Sequence, residues 1–141
     1  MGATVNAYWP GITEEQRESG PDFYNDSKAW GDWMAEREDV PAVSEALKRL
    51  GAGALLTYKT DGVEDEDVDW VTPGQLRDAA ARLREAVLAG SPDAGVILGT
   101  YAGNGGPDSA ADFVRDLDDV VAMTRWAEEE GATVMTLEVN W

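Results

Sequence analysis

The chain predicts an α+β fold: a mixed or antiparallel sheet of about four to five strands, helices mainly on one face, and a single domain over residues 1–141. Three observations carry this expectation. Segments with the two-residue period of strands alternate with segments of helical period. Residues 135–141 alternate so cleanly that one face should be buried and the other wet, which favours an antiparallel or edge position. A chain of 141 residues with 43% hydrophobic content is also long and apolar enough to bury one core.

In chain order, Val5, Ala7 and Trp9 share one face of a strand over residues 4–9, which Pro10-Gly11 ends. Thr13-Glu14-Glu15-Gln16 is a capping box that opens a short helix, and Gly20-Pro21 breaks it. Residues 26–37 predict a helix with Trp30, Trp33 and Met34 on one side, weakened at Gly31 by about 1 kcal/mol relative to Ala. Residues 41–50 predict an amphipathic helix with Val43, Ala46, Leu47 and Leu50 as its stripe. Lys48 and Arg49 suit its negative end, and Gly51 follows as the C′ residue.

Residues 54–59 then read as a strand, and Asp61-Gly62 as a turn into a hairpin that returns through residues 68–71. Thr72 as N-cap, Pro73 at the first helical position and Gln75 completing the capping box open the strongest predicted helix, residues 73–89. It buries Leu76, Ala80, Leu83 and Val87, and Gly90-Ser91-Pro92 stops it. Residues 96–101 read as a buried strand that runs into a glycine-rich loop over 102–108. The last helix, from Ser109 to about Glu130, places Phe113, Leu117, Val120, Val121 and Thr124 inward and ends at Gly131. Glu128, Glu129 and Glu130 in its last turn have the wrong sign for the helix dipole. In the final strand Met135, Leu137, Val139 and Trp141 face one way, with Thr136, Glu138 and Asn140 facing the other.

Composition excludes several chemistries. With neither His nor Cys, the chain has no Ser-His-Asp or Cys-His nucleophile, no thiolate, no disulfide and no ordinary zinc site. Any catalysis would rest on carboxylates, Tyr, Lys, Arg or an oxygen-bound cation, and the expectation is a protein that is not an enzyme and carries no cofactor. No apolar run reaches the roughly 18 to 20 residues of a membrane span, and the absence of Cys agrees with a reducing, cytoplasmic setting. Asp and Glu number 28 against 11 Lys and Arg, a net charge of −17. Such a field opposes direct binding to nucleic acid or anionic lipid and favours a basic protein partner.

The negative charge is densest at Asp61-Gly-Val-Glu-Asp-Glu-Asp-Val-Asp69, where six of nine residues are carboxylates. Asp61, Glu64, Asp65, Glu66, Asp67, Asp69 and the adjoining Trp70 form the candidate partner-binding set, an aromatic anchor beside charges that suit an Arg-bearing surface. Asp65, Asp67 and Asp69 also match the first three ligand positions of a calcium loop, but Trp70 and Leu76 stand where that loop needs Gly and Glu. If extended, these three Asp could hold a hard cation weakly; a solvated turn accounts for them without one. Gly103-Asn104-Gly105-Gly106 lies where phosphate-cradling loops lie, yet lacks the third Gly and the Lys-Ser/Thr of such motifs.

The leading functional expectation is a non-enzymatic acidic module that docks on a basic protein, as immunity, inhibitor or nucleic-acid-mimicking proteins do. One alternative is a small-molecule or divalent-cation binder, or a carboxylate-based enzyme. Another is a general domain whose acidity is an adaptation to salt.

Overall fold

The computed structural model describes residues 4–21, 41–60, 62–102 and 109–140. Five α-helices stand among them: α1 (Glu14–Ser19), α2 (Pro41–Arg49), α3 (Pro73–Ala89), α4 (Pro92–Ala102) and α5 (Ser109–Glu129). The strands β1 (Thr4–Tyr8) and β2 (Thr136–Asn140) form a two-stranded antiparallel sheet, with Tyr8 opposite Thr136 and Asn6 opposite Glu138. Single 3-10 turns occupy Gly53–Leu56 and Asp65–Asp67. The predicted sheet of four to five strands is therefore corrected to a mostly helical structure with two strands. The helix expected over residues 26–37 lies outside the described residues.

Three expected strands are lost, each for a local reason. Residues 96–101 belong to α4, because the Gly90-Ser91-Pro92 stop for one helix is also the start of the next. Ser91 accepts a hydrogen bond from the Ala94 N–H at 3.1 Å, and Pro92 takes a first-turn position where its missing N–H costs nothing. Ala94 and Ile97 are then buried three residues apart, with Leu98 packed beside them. A short apolar run has no period of its own to tell strand from helix. Over residues 54–59 the chain makes a 3-10 turn that sets Leu55 into the core, and only Lys59 pairs with β2, through Lys59 N–H to Leu137 C=O and Val139 N–H to Lys59 C=O, each 2.8 Å.

The hairpin arm over 68–71 is likewise reduced to one residue, Val71, which exchanges two backbone bonds with Met135 at 2.7 and 3.1 Å. The two arms do not pair with each other. Lys59 bridges to β2 and Val71 to Met135 just before it, both on the edge that β1 leaves open, so β2 is the central line of the sheet.

β2 is also buried on both faces, which corrects the expectation of a wet one. Met135, Leu137 and Val139 join the helical core, while Thr136 is fully buried and Glu138 is 5% exposed. The core itself lies between α3 and α5, lined by Leu76, Leu83, Phe113, Leu117, Val120 and Met123. Ion pairs of Arg77 with Glu128 and of Arg84 with Asp118 show these helices running antiparallel. Arg77 thus supplies the partner that explains at least one of the three glutamates closing α5. Trp126 packs 5.1 Å from Trp9, and a Cβ on Gly20 would fall 2.9 Å from its ring, so a larger residue there would have to displace the indole on which α1 ends.

Both predicted capping boxes form: Thr13 with Gln16, and Thr72 with Gln75. α3 ends in a Schellman motif, with Gly90 N–H donating to Val87 C=O at 3.2 Å and Ser91 N–H to Ala86 C=O at 3.0 Å. Gly90 holds φ at +69° in open space. Gly90→Ala should therefore destabilise by about 1–2 kcal/mol through backbone strain alone, measured by urea denaturation. Among the described residues no helix is long and apolar enough to cross a membrane.

Candidate functional site

The acidic run lies beside the polar side of the sheet. The sheet's other face is apolar, so its alternation leaves Asn6 and Tyr8 of β1 and Thr136 and Glu138 of β2 on this side. Residues 59–71 run beside it between the two bridges to β2. Within them Glu64, Asp65, Glu66, Asp67 and Asp69 are exposed, Val68 is buried, and Trp70 is half-buried. The predicted acids and Trp70 thus belong to one short surface segment; Asp61 lies outside the described residues.

Side-chain tethers hold the segment in place. Tyr8 Oη donates to the Asp65 carboxylate, 2.9 Å from Oδ1 and 3.2 Å from Oδ2. Lys59 Nζ donates to Val63 C=O at 2.7 Å, and Thr57 Oγ1 donates to Asp69 C=O at 2.6 Å. Thr57 has one hydroxyl proton, so in its 2.7 Å contact with Thr136 Oγ1 the donor is Thr136. The Trp70 ring stacks on Tyr8, centroids 6.0 Å apart and planes 18° from parallel. Arg17 and Lys59 both lie over the Tyr8 ring, 5.5 and 5.3 Å from its centroid.

The cations of this surface are thus engaged at the sheet. Arg17 pairs with the buried Glu138, and Lys59 is engaged by the Val63 carbonyl and Tyr8. The acids point outward: no ion pair joins Glu64, Glu66, Asp67 or Asp69 to another described residue. Elsewhere Asp78, Asp93, Asp118 and Glu128 each have an arginine. Burial raises the Tyr8 pKa above its ordinary value, helped by the hydrogen bond and charge of Asp65 and by Glu138, and opposed by Arg17. Tyr8 is consequently a neutral hydrogen-bond donor at physiological pH, not a base.

Asp65 and Asp67 sit on a 3-10 turn with Asp69 beyond it, so the extended geometry that would line all three on one face is absent. No group of three or more acids among the described residues is arranged to hold a metal ion. Gly103, Asn104, Gly105 and Gly106 lie outside the described residues. A cavity of about 600 Å³ beside β1 is lined by Asn6, Ile12, Glu14, Arg17 and Glu18, which adds two more carboxylates on α1, the helix that sends Arg17 over Tyr8.

Sequence reasoning missed Tyr8, Arg17, Lys59, Thr57 and Glu138. A usable signal existed for two of them. Tyr8 and Glu138 each fall opposite a run of apolar residues in a terminal strand, and pairing those strands places both on the polar face. Comparisons with protein-family models, with curated proteins and with solved structures find no match for the chain.

Proposed function

We propose that this protein is a non-enzymatic binding module that docks on a basic, arginine- or lysine-bearing protein surface through residues 64–70. Immunity, inhibitor or nucleic-acid-mimicking proteins would use such a surface in the same way. The reading rests on one observation above the others. Glu64, Glu66, Asp67 and Asp69 are exposed without an ion-pair partner among the described residues, next to the half-exposed Trp70. Tethering lowers the entropy that binding must remove, and the aromatic offers a guanidinium a stacking partner. The net charge of −17 would steer a cationic partner and repel nucleic acid and anionic lipid. A cytoplasmic setting accords with the absence of Cys.

Exposed acids without an ion pair among the described residues also stand on α1, α3 and α5, as at Glu14, Glu15, Glu18, Glu85 and Glu129. What sets residues 64–69 apart from acidity spread by salt adaptation is five exposed carboxylates in six positions beside Trp70. The test begins with capture of basic proteins at low salt by the whole chain. The captured partner is then purified and its association rate measured against ionic strength. Converting Glu64, Glu66, Asp67 and Asp69 together to Gln or Asn should slow association about tenfold or more at low salt and flatten the salt dependence. Equal rates for the two proteins, or no basic partner at all, would sink the proposal.

A further inference from the structure

We infer that Tyr8 is a positioning residue, a latch by which β1 holds the acidic turn and Trp70 together as one face. The importance of that face for docking rests on the function proposed above; the latch itself does not. Tyr8 sits on the sheet, in register with Thr136, and its side chain meets Asp65, Trp70, Arg17 and Lys59. Its hydroxyl holds Asp65, fifty-seven residues away in sequence, and its ring stacks on Trp70 and receives Arg17 and Lys59. The turn has a reason to leave: Glu64, Asp65, Glu66, Asp67 and Asp69 repel one another, and between Glu64 and Asp69 only Val68 is an apolar anchor. A hydrogen bond from a neutral phenol to an ionised carboxylate is charge-assisted and directional, so it opposes that repulsion. The ring also receives Arg17 and Lys59, neither of which forms an ion pair with Glu64, Glu66, Asp67 or Asp69.

Two variants separate the hydroxyl from the ring. Tyr8→Phe keeps the stacking and the cation contacts and loses only the bond to Asp65; Tyr8→Leu loses all three. Hydrogen exchange on the full chain at neutral pH should show amides of residues 65–71 exchanging about tenfold faster or more in Tyr8→Phe, and faster again in Tyr8→Leu. Amides in the middle of α3 and α5 should be unchanged in Tyr8→Phe. A pH profile gives a second readout, of the phenol's own surroundings. Four charged groups face the phenol: Asp65 from the turn, Glu138 from β2, Arg17 from α1 and Lys59 from its bridge.

Because the folded pKa of Tyr8 is raised, its contribution to stability is complete below the unfolded tyrosine value of about 10 and is lost as pH climbs through the folded one. The stability difference between wild type and Tyr8→Phe should therefore be flat from neutral pH up to that value and then shrink. Unchanged exchange over residues 65–71 in Tyr8→Phe would overturn the latch, even if Tyr8→Leu fails to fold. Wild-type protein that binds no basic partner would instead remove the docking function and leave a latch seen by exchange standing.

Discussion

Phe113→Ala is expected to lower the unfolding free energy by about 3–5 kcal/mol, the largest single effect among the described residues. Phe113 is fully buried on the first turns of α5, one helical turn from Leu117, in the layer that meets α3. Removing its ring takes away the apolar transfer energy and leaves a cavity, because the neighbours are held by long helices that cannot close on it. A marginally stable domain has only about 5–15 kcal/mol in total, so the variant should unfold at a much lower urea midpoint. Phe113→Leu, which keeps most of the volume, should cost less than half as much. Equal losses for the two substitutions would mean that this layer is not packed as described.

Thr57→Val should destabilise by about 2 kcal/mol, and more than Thr136→Val, although both hydroxyls are buried and bonded to each other. The asymmetry follows from the direction of the bonds. Thr57 gives its proton to Asp69 C=O and accepts the proton of Thr136. Its loss strands a fully buried Thr136 hydroxyl and frees the Asp69 carbonyl. Loss of Thr136 instead leaves Thr57 bonded to Asp69, and only an acceptor unfilled, for about 1 kcal/mol. Chemical denaturation of the two single variants checks the order. The same Thr57→Val protein should exchange faster at the amides near Asp69, since one tether of the acidic segment is gone. Thr136→Val proving the costlier change would reverse the assigned donor.

Much of the helical framework was legible because helix ends are written in local chemistry. Thr13 with Gln16, Thr72 with Pro73 and Gln75, and Gly90 all act on backbone groups within a few residues of themselves, so no distant partner has to be known. Periodicity placed Leu76, Ala80, Leu83, Val87, Phe113 and Leu117 on buried stripes for the same reason. Residues 54–59, 68–71 and 96–101 were misread because a short apolar stretch carries no period, and whether it pairs depends on what lies beside it. Lys59 and Val71 pair with β2 from more than sixty residues away. Ser91 was read only as part of a stop, yet it caps the helix that begins at Pro92.

By itself the sequence determined the capped helices, the apolar terminal strands, the excess of negative charge and its concentration around residues 61–69, together with the chemistry closed off by the absence of His and Cys. These are properties of composition and of interactions spanning a few residues. Only the tertiary structure decided that β1 and β2 pair, that both faces of β2 are covered, and that Glu138 is buried against Arg17. It alone decided that Tyr8 reaches Asp65 while Arg17 and Lys59 lie over its ring. Contacts between residues far apart in the chain are chosen by what the whole core leaves uncovered, and no local pattern encodes that choice.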